Sequence, residues 1–424
     1  MTGIFSPLTL PNGSFLPNRL CKAAMEENMC DAGHLPGVRL QRLYKSWAEG
    51  GVGLILSGNV MVSPDALTGP GGLILTKETL QDARASEMFK QWAAAGQSGV
   101  GQFWLQLSHP GRQVYASQGT EAVSASATQV KMGGAEGLFS TARALEDDEI
   151  KAIITRFADT AEAAQKLGFD GVQIHGAHGY LVAQFLSPLT NLRRDRWGGS
   201  LENRAQFLLS IIKAIRARVG LDFGLGVKIN SADFQKGGFE AQDAAQVVTW
   251  MNALNVDFVE ISGGSYESPA MMGAKQETIK DERSESTKAR ELYFFSFAED
   301  ISQAAQMPIM VTGGVTQKAT AEAALSGGKV AIIGIARAMA YVPDLPKQWQ
   351  ARQSLKITWR TASFKKPVLN VISNMALTKN SLHRMGRGQG PSLNASPLLS
   401  LIKDRLRIKR LTKRYKKWLA GRSL

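Results

Sequence analysis

Along residues 19–337, short β-like runs alternate with amphipathic helical patterns, and this alternation restricts the fold more than any other feature of the sequence. The eight β-like runs lie at residues 19–25, 52–60, 101–108, 171–175, 224–230, 256–263, 308–314 and 330–337. The helical patterns between them include residues 150–167, 204–219, 242–254, 292–305 and 320–325. Strands that alternate with helices in this way are typical of a parallel α/β fold.

Eight βα units favour a TIM (β/α)8 barrel over a doubly wound sheet. The doubly wound alternative usually has fewer strands and a Gly-rich dinucleotide fingerprint after its first strand, whereas the first run here continues into KAAMEENM. Residues 6–15, with Pro11, Asn12 and Gly13 as a turn, predict a small hairpin that caps the closed bottom of the barrel. We predict a barrel domain at residues 1–350 and a basic, helical extension at residues 351–424.

The composition is that of a globular protein, with 44% hydrophobic and 20% charged residues in a chain of 424. The first residues lack the charged and apolar segments of a signal peptide, and no apolar run approaches the ~18 residues of a membrane span. These features predict a cytoplasmic protein. Cys21 and Cys30 are the two cysteines, too few for a disulfide framework or for the thiolates of an iron-sulfur cluster. The sequence therefore predicts no metal site.

The net charge of +14 is concentrated in the extension. Eighteen of the 50 Lys and Arg residues, but one of the 36 Asp and Glu residues, lie from residue 351 onward, so the extension carries +17 and the remainder −3. A partner attracted by positive charge would therefore meet the extension, not the barrel.

The basic run at residues 403–422 has the spacing of an amphipathic helix, because Leu401, Ile408, Leu411, Tyr415 and Trp418 fall on one side. Such a helix can lie on an anionic membrane surface, as in peripheral membrane association. It can equally dock on the barrel, or on a second subunit of a homo-oligomer, with its cations in solvent. Nucleic acid is a weaker third partner because no recognised motif accompanies the charge.

The C-terminal ends of barrel strands converge on one site, and here they carry polar residues. The fourth run ends in His175 and His178, and Gly176 and Gly179 allow the chain to turn there. The loops after the seventh and eighth runs combine glycines with Arg337, the place where barrels commonly hold a phosphate. The sequence thus predicts a phosphorylated ligand at these ends.

The segment HGAHGYLVAQFLSPLTNLRRDRWGGSLENR, with QLSHPGR after the third run and PNR before the first, resembles the Old Yellow Enzyme family of NAD(P)H:flavin oxidoreductases. The resemblance covers residues 5–346. Members of that family are FMN-bearing TIM barrels in which NAD(P)H reduces the flavin and the flavin reduces an activated C=C bond. The resemblance therefore implies FMN and NAD(P)H as cofactors and a small electron-poor alkene as substrate.

The resemblance assigns roles to the residues that match. His175 and His178 would bind the carbonyl or nitro oxygen of the substrate and stabilise the negative charge that develops there. Tyr180 would give a proton to the alkene carbon, since a phenol with a pKa of ~10 is protonated at neutral pH. Gln106 would hydrogen-bond the isoalloxazine edge, and Lys228 would place a cation near N1 and O2 of the flavin.

Further flavin contacts follow from the same resemblance. Gly314, Ala336 and Arg337 would hold the FMN phosphate. Ala23, Ala24 and Met25 would line the flavin, with Asn59 nearby. The sequence departs from the family pattern at Glu26, where some members carry a cysteine that tunes the flavin, and at Asn28, where those members carry a tyrosine.

Two other functions stay open at this stage. A flavin enzyme of this type could oxidise an amine or a cyclic alcohol, and the basic extension could make membrane or partner binding the main role. Specificity is expected in the loops at residues 113–146 and 266–290, which carry no decisive signature.

Overall fold

A computed structural model describes residues 3–131, 137–264, 267, 293–351, 355 and 357–422. Its centre is a closed barrel of eight parallel strands. In chain order they are β1 (Leu20–Lys22), β2 (Leu54–Met61), β3 (Gln102–Ser108), β4 (Gly171–Gly176), β5 (Gly224–Asn230), β6 (Phe258–Ser262), β7 (Ile309–Thr312) and β8 (Ile332–Ile335). Each strand pairs with the next, and β1 pairs with both β2 and β8, which closes the barrel. The predicted TIM barrel is confirmed, with all eight strands at the predicted places.

Helices follow the strands on the outside of the barrel. They are α1 (Val38–Glu49), α2 (Ala83–Gly96), α3 (Asp147–Lys166), α4 (Leu181–Leu186), α5 (Leu201–Val219), α6 (Ala241–Met251), α7 (Tyr293–Ala304), α8 (Lys318–Ser326) and α9 (Leu345–Ala351). Helices α3 and α5 each begin three residues earlier than the apolar pattern predicts, because polar caps precede it. Glu146 and Glu149 form a capping box at the start of α3, and the Ser200 side chain accepts a hydrogen bond at the start of α5.

The predicted hairpin pairs Leu8–Thr9 with Phe15–Leu16 in antiparallel fashion. Its Leu10 and Leu16 are fully buried and join the cluster of side chains that fills the lower barrel interior. The hairpin therefore plugs one end, and the polar strand ends lie at the other. This leaves a single open end for a ligand.

Above the hairpin, two aromatic rings fill the barrel. Trp104 and Phe258 lie with their ring centroids 5.2 Å apart, an arrangement that contributes about 0.5–1.5 kcal/mol beyond the burial of the rings. Gly171 and Gly224 provide the space, since a Cβ atom there would lie 2.5 Å and 2.1 Å from the Trp104 ring. Trp104 shares the inward face of β3 with Gln106, so the next layer toward the open end is polar.

The extension forms two helices that pack on the barrel, α10 (Pro367–Gly386) and α11 (Pro397–Ala420). On α10, Ser381 Oγ donates to the carbonyl oxygen of Ala340 at 2.7 Å, and His383 Nε2 lies 3.0 Å from the carbonyl oxygen of Glu27. Burial and then the charge of Arg407 lower the pKa of His383 to about 3, so the ring is neutral and its Nε2–H donates. This helix thus supports the loop that follows β1.

Most of the basic run lies in α11, and one face of this helix docks on the barrel. Tyr415 is fully buried, its hydroxyl donates to the carbonyl oxygen of Pro64 at 3.0 Å, and its ring meets that of His34 edge-on. Trp418 also packs against His34, with ring centroids 4.6 Å apart. Of the three roles open for this helix, docking on the barrel is therefore observed for this face. Within the described residues, no helix is long and apolar enough to cross a bilayer.

Candidate active site

Four polar side chains, one each from β3, β4, β5 and β6, form a connected layer across the barrel interior. Gln106 Nε2 donates to Gln173 Oε1 at 2.7 Å, and Gln173 Nε2 donates to Glu260 Oε2 at 2.7 Å. Lys228 Nζ lies 2.9 Å from Glu260 Oε1. All four side chains are buried. We call Gln106, Gln173, Lys228 and Glu260 the polar layer.

The ion pair within the polar layer explains how a lysine is accommodated in an apolar strand. An unpaired ammonium at this depth would be costly, and the Glu260 carboxylate, which is 0% exposed, offsets its charge. Removing one partner from such a pair usually costs ~3–5 kcal/mol, because the other charge stays buried. The pair therefore fixes a cation in a dry interior, where its electric field acts over a longer range than in water.

Two histidines lie directly above the polar layer. His175 is the last residue but one of β4, and His178 follows in the turn with a φ of 60°, a conformation that few side chains adopt. The turn is held because the backbone N–H of His178 donates to Asn230 Oδ1 at 3.1 Å and Gln113 Nε2 donates to the His178 carbonyl oxygen at 2.9 Å. His175 Nε2 then lies 3.1 Å from His178 Nδ1.

Both imidazoles are neutral. Burial first, and then the charge of Lys228, hold the pKa of His175 and the pKa of His178 well below the usual value. His178 Nε2 makes a 2.8 Å hydrogen bond with Ser262 Oγ, whereas His175 Nδ1 is buried without a hydrogen-bond partner among the described residues. A neutral imidazole can donate without losing its proton, so this pair can bind a ligand oxygen.

Tyr180 completes the group. Its ring centroid lies 4.7 Å from that of His175, and the residue is buried at the start of α4, where its carbonyl oxygen accepts from the Gln184 N–H at 2.8 Å. The three residues that the sequence singled out are thus brought together at the open end of the barrel, above Lys228.

The ends of β1 and β2 form the neighbouring wall. Ala23 follows β1, and its N–H donates to the Ile335 carbonyl oxygen at 3.0 Å, which joins this wall to β8. Ala24 and Met25 come next and are partly exposed. The pairing of β2 with β3 is irregular between Leu56 and Asn59, and this places Asn59 opposite Gln106.

Glu26 and Asn28, where the sequence departs from the family pattern, are both held by the loop after β2. Glu26 accepts a short hydrogen bond from the Thr68 hydroxyl. Asn28 has a φ of 51°, and its Oδ1 accepts from the Gly71 N–H at 3.2 Å. The two residues therefore link the loops that follow β1 and β2.

The loops after β7 and β8 adjoin each other, because Thr312 pairs with Gly334. Gly313 and Gly314 have φ values of 152° and 67°, which an L-residue other than glycine rarely adopts. Ala336 follows β8, and Arg337 then begins a 3₁₀ helix, Arg337–Ala340, and is exposed to solvent. Two turning glycines with an arginine beside them can hold a phosphate through N–H groups and a guanidinium.

The side chains at the open end fit a flavin. Among the described residues, Asn59 Oδ1 and Thr312 Oγ1 are buried polar atoms with no hydrogen-bond partner, as is His175 Nδ1. They belong to residues in β2, at the end of β7 and near the end of β4. Since buried polar atoms are normally paired, these positions are where a polar ligand would complete the hydrogen bonding.

Sequence reasoning missed Gln173, Glu260 and Glu27. Glu27 accepts from the Tyr44 hydroxyl at 2.5 Å and lies 3.9 Å from Lys22 Nζ, so a second buried ion pair supports the loop after β1. A signal for Glu260 was available, because an acid inside an apolar strand requires a partner just as Lys228 does. Gln173 carried no such signal, since a neutral amide is less costly to bury.

Comparisons with known proteins agree with this geometry. The profile of the NADH:flavin oxidoreductase / NADH oxidase family matches residues 3–356. The chain is 35% identical over 395 residues to an NADH-dependent flavin oxidoreductase of Hypocrea jecorina, covering 89% of this chain and 96% of that protein. It is 35% identical over 354 residues to a protein of the same description from Neonectria, covering 80% of this chain but 46% of that protein.

Solved structures agree on the fold. A 2-naphthoyl-CoA reductase complex is 26% identical with a TM-score of 0.71, covering 82% of this chain and 52% of that one. The Old Yellow Enzyme homologue of Zymomonas mobilis is 24% identical with a TM-score of 0.70, covering 87% of this chain and 98% of that one. At this identity the second likeness concerns the fold alone.

Proposed function

Because the chain belongs to the NADH:flavin oxidoreductase / NADH oxidase family, and so is an FMN-dependent oxidoreductase of the Old Yellow Enzyme type that uses NAD(P)H, we propose that it reduces the C=C bond of α,β-unsaturated carbonyl compounds or similar electron-poor alkenes. The single observation that carries this proposal is the neutral pair of His175 and His178 beside Tyr180. The group offers hydrogen-bond donors and a phenol in one place, at the open end of the barrel.

Bound FMN supplies the hydride in this reaction. The residues that would hold it are Gln106 and Lys228 of the polar layer, Asn59, the wall of Ala23, Ala24 and Met25, and, at the phosphate, Gly314, Ala336 and Arg337. The Lys228 cation would favour a negative charge on the bound ring system. Glu26 stands where some members of the family carry a cysteine that tunes the flavin. Its carboxylate accepts a hydrogen bond from the Thr68 hydroxyl.

The substrate is activated by the histidine pair. One carbonyl or nitro oxygen of the alkene accepts hydrogen bonds from His175 and His178, once the ligand displaces the bonds that His178 makes with His175 and Ser262. The two donors stabilise the negative charge that develops as hydride reaches the far carbon. Neutral imidazoles suit this role, since they donate without giving up a proton. Tyr180 then transfers its phenolic proton to the other alkene carbon, so the C=C bond gains one hydride and one proton.

The test is a half-reaction series on the purified protein. We expect a yellow protein whose flavin absorbance bleaches with NADH or NADPH under anaerobic conditions and recovers on addition of cyclohexenone. Bleaching without recovery by any enone or nitroalkene would contradict the alkene proposal. Reduction of the flavin by an amine or a cyclic alcohol without NAD(P)H would indicate the dehydrogenase alternative instead.

A further inference from the structure

Helix α11 has a second face, opposite the one that docks on the barrel. Tyr415, Asp404 and Ser400 are buried on the docked face. The opposite face carries four large apolar side chains that are about half exposed, Leu398 at 55%, Leu399 at 56%, Ile402 at 46% and Leu406 at 53%. Their spacing of three and four residues puts them on one side of the helix over two turns. We call these four residues the apolar ridge.

Cations flank the apolar ridge and continue along the same face. Lys403, Arg405, Lys409, Arg410 and Lys413 are all exposed. The one acid of this helix, Asp404, lies on the docked face and pairs with Arg407. The exposed face therefore combines protruding apolar side chains with positive charge that no acid of the helix offsets.

The positive surface extends onto neighbouring helices. Burial and then the charges of Arg384, Arg39 and Arg407 lower the pKa of Arg387, so cations of α1, α10 and α11 lie near one another around it. Arg42 of α1 also donates to the Gly386 carbonyl oxygen at 3.1 Å, which fixes α10 against α1. The three helices thus bring cations together around Arg387.

We propose that this face of α11 binds the surface of an anionic lipid bilayer, with the apolar ridge among the headgroups and the flanking cations on lipid phosphates. Helices that lie on membranes combine these two features, and each Lys or Arg near an anionic surface adds to the attraction. A second copy of this chain fits less well, because it would bring a like-charged face against the first. A nucleic acid would use the cations but leave the apolar ridge without a partner. The inference is independent of the proposed catalytic function.

The test uses the full-length, flavin-loaded protein and two types of vesicle, phosphatidylcholine alone and phosphatidylcholine with phosphatidylserine. Removal of α11 is not suitable, because Tyr415 and Trp418 belong to the packed structure. We expect binding to the anionic vesicles only, measured by co-flotation, and weakening at high salt as the charges are screened.

Two variants separate the two parts of the face, each with a matched control. K409E/K413E should lower the vesicle affinity by about tenfold or more, whereas K90E/K213E, which reverses exposed lysines of α2 and α5, should leave it within about twofold. L399Q/I402Q/L406Q should also lower the affinity by about tenfold, with L221Q, another exposed leucine, as its control. Flavin content and turnover should be unchanged in both variants and in both controls.

Several results would overturn the proposal. Absence of binding to anionic vesicles by the wild-type protein would do so directly. A dimer in light scattering that the glutamine variant abolishes would assign the face to a second copy. Binding that survives the glutamine substitutions and is displaced by a DNA duplex would assign it to a polyanion.

Discussion

Glu260 Oε1 lies 2.9 Å from Lys228 Nζ inside the barrel, and both side chains are buried below the histidine pair. The carboxylate offsets the one cation that faces the open end from the polar layer. The strength of that positive field is therefore set by two residues of adjacent strands.

Substituting E260Q should raise the reduction potential of the bound flavin by on the order of 30 mV, which is tenfold in the two-electron equilibrium. The reason is that the substitution removes the anion that offsets the Lys228 cation. Dye-coupled titration measures the potential. K228M is the matched comparison and should lower the reduction potential. If both variants shifted the potential in the same direction, the Lys228–Glu260 pair would not set it in this way.

Substituting Y180F should slow re-oxidation of the reduced flavin by an enone by roughly 10²–10⁴-fold, the usual contribution of a positioned acid. The ring contact with His175 is kept, so flavin reduction by NADH should change by no more than a few fold. Stopped-flow absorbance separates the two half-reactions. An equal slowing of both would mean that the hydroxyl supports the site in general and is not the proton donor.

Acid should destabilise this protein through its histidines. The pKa of each of the five, His34, His109, His175, His178 and His383, lies below the usual value because burial disfavours the charged ring. As the pH falls below ~6.5, the histidines of the unfolded chain bind protons that those of the native protein do not. Each histidine therefore lowers the free energy of unfolding by about 1 kcal/mol over the first pH unit below ~6.5.

Urea unfolding at two pH values checks this. The free energy of unfolding should be lower at pH 5.5 than at pH 7 by several kcal/mol, since five such groups act together. H109Q removes a group whose pKa is lowered to about 4. It should reduce the difference in the free energy of unfolding between the two pH values by about 1 kcal/mol. A stability that does not change between these pH values would show that the histidines titrate normally.

Helix α11 should contribute to the stability of the barrel. Y415A removes a fully buried ring that packs against Met61, Leu67 and Ile74, and a loss of about 3–5 kcal/mol is expected. Y415F keeps the ring and loses the hydroxyl with its hydrogen bond to Pro64, which costs about 0.5–1.5 kcal/mol. Denaturant unfolding measures both, and K417A on the exposed side should lie within about 0.5 kcal/mol of the wild type. Equal stability of Y415A and wild type would mean that the helix is not docked in solution.

The fold could be read from the sequence because its determinants are local. Strand β5 occupies the predicted residues. The other strands differ from the prediction at their ends, where the hydrogen bonds between strands stop and the chain turns. The histidines and Tyr180 were found for the same reason, since they lie within six residues of one another at the end of β4. Fragments of this length carry their own periodicity and turn signals.

The partners of Lys228 and the two faces of α11 depended on tertiary structure. Glu260 is 32 positions away from Lys228, and Gln173 is 87 positions away from Glu260. The packing of β4, β5 and β6 beside one another brings these side chains into contact. The helical spacing predicted an amphipathic α11 but not that its docked side would leave four apolar residues exposed. Periodicity along one segment determines which residues share a face; what that face meets is decided by packing with segments far away in the chain.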